Sequence, residues 1–201
     1  MHGGALGKFN PKYKATQMDA KGIVNDYLRS QPSSHAGESL SWTILTTGPY
    51  MENLAGAMLG PLQKRENGAV VFALLIVEDG HIPAICLEDI AWWTRHTFDH
   101  LSETSGQELK IATEMMTYLK IYPHLALSFV KGEQGPSIGE TFMAMYNVWR
   151  DNLVTRDMEW IRRVHTTGYT LESWMKERGY VGNLSPDLKH LKSSMELKSL
   201  L

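Results

Sequence analysis

The stretch "SWTILTTGPYMENLAG", residues 41–56, changes character twice in sixteen positions. Trp42 to Thr47 is a run of β-branched and aromatic residues, the composition of a short strand that a parallel sheet buries on both faces. Gly48-Pro49 then breaks the run. Straight after it stand an aromatic ring, a carboxylate and an amide, at Tyr50, Glu52 and Asn53. Open α/β sheets bind ligands beyond the carboxyl ends of their strands, so polar groups placed just past a buried strand point to a binding edge, not to the core.

Working outward, "TQMDAKGIVNDYLRS" reads as a helix over residues 16–30, with Thr16 as its cap. Val24, Tyr27, Leu28 and the stem of Lys21 recur at helical spacing and predict its buried face. Residues 51–60 read as a short helix stopped by Gly60-Pro61. "AVVFALLIV" (69–77) and "IPAICL" (82–87) read as strands, and "EDIAWWTRHTFDHL" (88–101) as a helix with acidic groups at its positive end. "QELKIA" is a further short strand, "ETFMAMYNVWRDNL" (140–153) a helix with Phe142, Met145, Tyr146, Trp149 and Leu153 on one stripe. "TLESWMKERG" has a Thr170 cap and a Gly179 stop, and the tail from Ser185-Pro186 reads as a last helix. Strands alternating with helices predict the α/β class.

The chain has 201 residues, enough for a single domain, with 43% hydrophobic and 21% charged residues. A net charge of −2 gives no electrostatic grip on nucleic acid or an anionic membrane. The lone Cys86 excludes an internal disulfide and fits a reducing compartment. With no leader-like start and no long apolar run, the expectation is a soluble protein of the cytoplasm or nucleus.

Four pieces in order, "MDAKGIVNDYLRS", "WTILTTGPYMENL", "ICLEDIAWWTRHTF" and "RDMEWIRRVHTTGYTLESWMKERGYVGN", resemble the NmrA-like family, atypical relatives of the short-chain dehydrogenases. The resemblance covers most of residues 13–183, with 113–140 matching poorly and 184–201 as a terminal helix or tail. It implies one truncated domain, residues 1–201, equivalent to the carboxyl-terminal part of an NmrA-like Rossmann fold with a small substrate or partner lobe. No G-x-G-x-x-G or G-x-x-G-x-x-G occurs in the sequence, so the turn that holds a pyrophosphate at a helix amino terminus is missing. By the resemblance, Lys21 and the loop Tyr50, Met51, Glu52 and Asn53 contact NADP. Lys21 has the chemistry to donate to ribose hydroxyls, and Gly48 lets backbone approach the nicotinamide. The plainer alternative is a surface lysine and a helix-capping loop.

Short-chain dehydrogenases place a proton-donating tyrosine four residues before the lysine, and here that position is Gln17. An amide transfers no proton near neutral pH, which leaves Lys21 as the sole catalytic candidate of the usual set. Tyr13, two turns further along an extended helix, is a poor substitute. Many NmrA-like proteins also lack this tyrosine and some look like redox-sensing regulators, so the resemblance implies an NAD(P)-linked redox-sensing regulator or a degenerate oxidoreductase. The alternatives are a cofactor-free interaction module and a truncated reductase of small-molecule (secondary metabolite) biosynthesis. Strands without neighbours expose an edge and apolar surface, so a protein partner or self-association is expected.

His96 and His100 stand at i, i+4 in "HTFDH", a spacing that suits zinc, but two histidines without a third ligand predict a solvated face and no metal. "GPSIG" (135–139) lacks the strand–turn–helix context of a nucleophile elbow, and His124 reads as a loop residue. Trp92-Trp93 lacks basic interleaving and reads as core plus surface.

Overall fold

The structure, a computed structural model, describes residues 10–36, 39–56, 59–64, 66, 70–72, 80–117 and 138–182. The tail from Ser185, His124 and residues 73–77 of the "AVVFALLIV" run lie outside the described residues. The elements are helices α1 (Thr16–Arg29), α2 (Leu87–Asp99), α3 (Leu101–Thr104), α4 (Ile138–Arg150), α5 (Met158–Val164) and α6 (Leu171–Glu177). The strands are β1 (Ile44–Thr46), β2 (Pro61–Lys64), β3 (Val70–Phe72), β4 (His81–Ala84), β5 (Glu108–Lys110) and β6 (Glu114–Thr117). Two 3-10 turns, Pro11–Tyr13 and Met51–Ala55, complete the set.

The described strands form three two-stranded sheets, an α/β arrangement in the general sense. β1 and β5 are parallel, with Ile44 opposite Glu108 and Thr46 opposite Lys110. A parallel neighbour cannot be reached by a hairpin, and the connection from β1 to β5 includes α2. β4 and β6 are antiparallel, as are β2 and β3. Past its own end, the β1 segment runs beside the end of β4, where Tyr50 bridges Ile85 in parallel and the Met51 N–H donates to the Ile85 carbonyl. Gly48 makes that approach possible, because a Cβ there would overlap the Pro83 carbonyl oxygen.

Two apolar clusters hold these pieces together. One packs Met51, Leu54, Ile82 and Met116 against Tyr146, Trp149 and Trp174 from α4 and α6. The other packs Ile85, Trp93, Ile111 and Ile161, with Leu45 and Leu109 of the parallel pair against it. Met145 of the stripe read on α4 packs against the first cluster, and the side chain of Phe142 lies outside the described residues. Tyr146 and Trp149 are buried, but Leu153 lies beyond the helix end at Arg150. On α6, the Thr170 side chain accepts from the Ser173 N–H, and Gly179 at φ 58° closes the end. There the Gly179 N–H donates to Lys176 and the Tyr180 N–H to Met175, the paired bonds of a Schellman stop.

Helix α1 departs from the sequence reading in two ways. Its cap is Ala15, extended at φ −126° with no side-chain bond, so Thr16 is already helical. Most of its predicted buried face points outward: Val24 is 57% exposed, Tyr27 65% and Lys21 exposed, while Leu28 is half-buried; Ile23, outside that predicted set, is 72% exposed. The inward face carries Met18, Gly22, Asn25 and Arg29, and Gly22 is buried. A polar link anchors it instead, since Arg29 donates to Asp26 and across to Glu108 on β5 at 2.7 Å. The reason is geometric: two faces of this helix carry helical periodicity, and the face with the small Gly22 is the one that approaches the body. Among the described residues no helix is long and apolar enough to cross a membrane.

Two outcomes follow from these contacts. Gly48→Ala forces backbone apart and should cost about 2 kcal/mol or more, read as a lower urea midpoint with an unchanged slope. The second concerns acid. Burial alone would raise the Glu108 carboxyl, but hydrogen bonds from Thr46 and Arg29 and the Arg29 charge bring it down to about 2. A folded-state value below the unfolded one gives stability that is complete above about pH 4.5 and is lost as pH falls toward 2. Glu108→Gln should flatten the acid limb of a pH–melting profile, leaving it less steep than that of the parent.

Candidate functional site

The Tyr50–Asn53 segment follows the carboxyl end of β1 and lies against the start of α2. Its four side chains diverge. Tyr50 is 45% exposed at the edge, whereas Met51 is fully buried in the core and offers no side-chain surface to a ligand. Glu52 turns inward, and one oxygen accepts the Leu87 N–H at 3.2 Å in the first turn of α2. It thereby supplies the cap that Cys86, at the N-cap position, does not. The Asn53 backbone carries the 3-10 turn, accepting from Gly56 and donating to Tyr50. Among the described residues no hydrogen bond or ion pair joins Lys21 to this segment.

The start of α2 is crowded with carboxyl groups. Glu52 caps it, Glu88 pairs with Arg178, and Asp89 faces inward. A helix amino terminus attracts anions through its free N–H groups and dipole. Here the protein's own acids occupy that position, which leaves it unfavourable to a phosphate.

Asp89 organises the polar interior. Its Oδ2 accepts from the Thr113 hydroxyl at 2.5 Å, and its Oδ1 meets His165 Nε2 at 3.0 Å and accepts the Tyr169 N–H at 3.4 Å. Asp89 and His165 side chains are each only 5% exposed. The same Thr113 hydroxyl accepts the Cys86 N–H at 3.0 Å and lies 3.5 Å from its sulfur. Burial, ahead of all other effects, pushes the Cys86 thiol up to about 11, so it stays protonated and unreactive at neutral pH. Trp92 lies flat on the His165 ring, centroids 3.9 Å apart at 7°. Gly168 closes the other flank, where a Cβ would press on the imidazole.

Arg156 performs the matching task at the ends of the parallel pair. Its guanidinium donates to the carbonyls of Ile111 at 3.0 Å and Thr47 at 3.1 Å, with Thr46 at 3.4 Å. Burial lowers it to about 10, still charged at neutral pH. Neither Arg156 nor His165 was a candidate from the sequence. Asp89 had a signal, as the acidic residue of a helix start, whereas Arg156 and His165 lie in a stretch read only as closing helix.

The remaining candidates are placed as follows. Gln17 is in the first turn of α1. Tyr13 belongs to the preceding 3-10 turn, off the helix, and its hydroxyl donates to Asp151 at 2.7 Å. His96 and His100 stack on one another at 4.1 Å, and among the described residues no three His, Cys, Asp or Glu side chains gather as metal ligands. No known protein-family model matches the chain, and no curated protein sequence matches it.

Removing the Asp89 carboxyl strands two buried partners, Thr113 and His165, at about 1–3 kcal/mol each, together with the half-buried Tyr169 N–H. Asp89→Ala should therefore lower stability by about 3 kcal/mol or more in urea titration. Thr113→Val, which spares the His165 bond, should cost less.

Proposed function

We propose that the chain is an NmrA-like, NAD(P)-linked protein of the short-chain-dehydrogenase kind, working as a redox-sensing regulator or a degenerate oxidoreductase. One observation carries this reading. A strand, a crossover that includes a helix, and a parallel strand put the Tyr50–Asn53 segment at the strand's carboxyl end, where open α/β sheets take their ligands. Exposed Tyr50 offers a stacking face, and exposed Lys21 a donor for ribose hydroxyls. Reduction by the usual route is disfavoured, because Gln17 has no transferable proton and the Tyr13 hydroxyl is committed to Asp151. One buried thiol suits a reducing compartment, the cytoplasm or the nucleus.

A second reading, a cofactor-free interaction module, is favoured by the outward apolar face of α1 and by the carboxyl groups crowding the start of α2. The two separate on NADPH titration followed by amide NMR. The NAD(P)-linked reading expects saturable shifts at Tyr50, Glu52 and Asn53 with affinity weaker than micromolar, since this sequence contains no glycine-rich pyrophosphate turn. It also expects Lys21→Ala to weaken them. No shift at millimolar NADPH overturns it in favour of the interaction module.

A further inference from the structure

Four rings stack pairwise from the buried Asp89 network out to solvent. His165, held by Asp89, lies 3.9 Å from Trp92 at 7°. Trp92 lies 5.0 Å from His96 at 10°, and His96 lies 4.1 Å from His100 at 29°. His165 is buried, His96 half-buried and His100 exposed. The column ends at the corner where His100 closes α2 and opens α3. There the His100 N–H donates to the His96 carbonyl, and the His100 carbonyl accepts from Glu103 and Thr104. A third histidine, His35, sets its ring Nδ1 3.0 Å from the Ser102 carbonyl of α3. The corner in turn braces the approach to β1. The Thr104 carbonyl accepts the Thr43 hydroxyl, and the Gly106 N–H donates to Trp42.

We infer that this column is a pH-sensitive latch, which holds the α2–α3 corner closed while its histidines are neutral and releases it in mild acid. A single imidazolium suits the place. His100 Nδ1 lies 3.1 Å from the His96 carbonyl at the negative end of α2, and the face of Trp92 also attracts a cation. A second imidazolium is opposed. His96 and His100 stand one helical turn apart with rings 4.1 Å from each other, so two charges there repel across a half-buried gap that water screens poorly. The other groups facing His96 leave that repulsion in force. Burial first, then His100, hold His96 below its ordinary value, with a smaller push from His165. Glu103 on α3 and Asp99 on α2 pull the other way, and Asp99 is already paired with Arg95. A base whose folded-state value lies below its unfolded one gives stability that is complete above about pH 6.5 and is lost as pH falls. What loosens is the corner, and with it the brace on β1.

Amide hydrogen exchange of the full chain at about pH 7 and about pH 5, corrected for the intrinsic pH dependence of exchange, tests this. Helix α6 is the internal reference. In the parent, protection of the Thr104 and Ser105 amides should fall severalfold further than that of Trp174, whose N–H donates to Thr170. His100→Gln removes one of the two charges and keeps a polar side chain, so its corner should stay protected in acid. A parent corner that keeps its protection overturns the inference. So does an equal fall in parent and variant. Should the variant not fold, ring NMR of the parent decides: a His96 midpoint below 6.5 is expected, and one at or above 6.5 overturns the latch. NADPH is absent throughout, so this result stands apart from the cofactor reading.

Discussion

Burying a carboxyl group costs several kcal/mol unless donors replace the water it loses, and Asp89 draws those donors from segments far apart in the chain. Thr113 precedes β6, His165 follows α5, and Tyr169 precedes α6. Fixing one oxygen to Thr113 fixes the residue that also accepts the Cys86 N–H, and therefore the start of α2. Fixing the other holds the His165–Tyr169 turn under Trp92. The helix, the β4–β6 pair and the α5–α6 turn are positioned by one side chain, so disturbing it is felt in all of them.

That constraint shapes what the strand-end edge can bind. Because α2 starts where β1's continuation passes, Glu52 is close enough to cap it, and Met51 is drawn into the core. What remains open at the edge is Tyr50 and backbone. Such a surface suits a flat ring and a few hydrogen bonds better than a pyrophosphate, which needs several converging N–H groups and an unopposed helix dipole. The proposed dinucleotide reading therefore leans on a ring contact at Tyr50 and not on a phosphate cradle.

How much of this was legible in the sequence depends on range. β1, α2 and α6 were readable because their signals are local: β-branched content, acidic residues in a first turn, a Thr170 cap and a Gly179 stop. β2, β6 and α5 escaped because each is short and is specified by its partner, not by its own periodicity. The Asp89–His165 contact spans 76 positions, and the Arg156 bond to Thr47 spans 109, so no local pattern announces either. The face of α1 was misjudged for a related reason. Hydrophobic spacing shows that a stripe exists, but a buried glycine and one arginine decided which side meets the body.

A parallel pair is ordinarily sheltered on both faces, and one built from two strands has little area to shelter. Here Leu45 and Leu109 are covered from the α2 side. Helix α1 is tied across to β5 by Arg29, as an anchored strut with its Ile23, Val24 and Tyr27 turned outward. Ion pairs hold such a strut in place without burying much apolar area, so its attachment adds little to the hydrophobic term. Stability then rests on the two aromatic-rich clusters and on the Asp89 network, while the outer face of α1 keeps Ile23, Val24 and Tyr27 in solvent. A fold organised this way satisfies itself at the centre while one helix face at its margin leaves Ile23, Val24 and Tyr27 in water, which is the observation behind the interaction-module alternative.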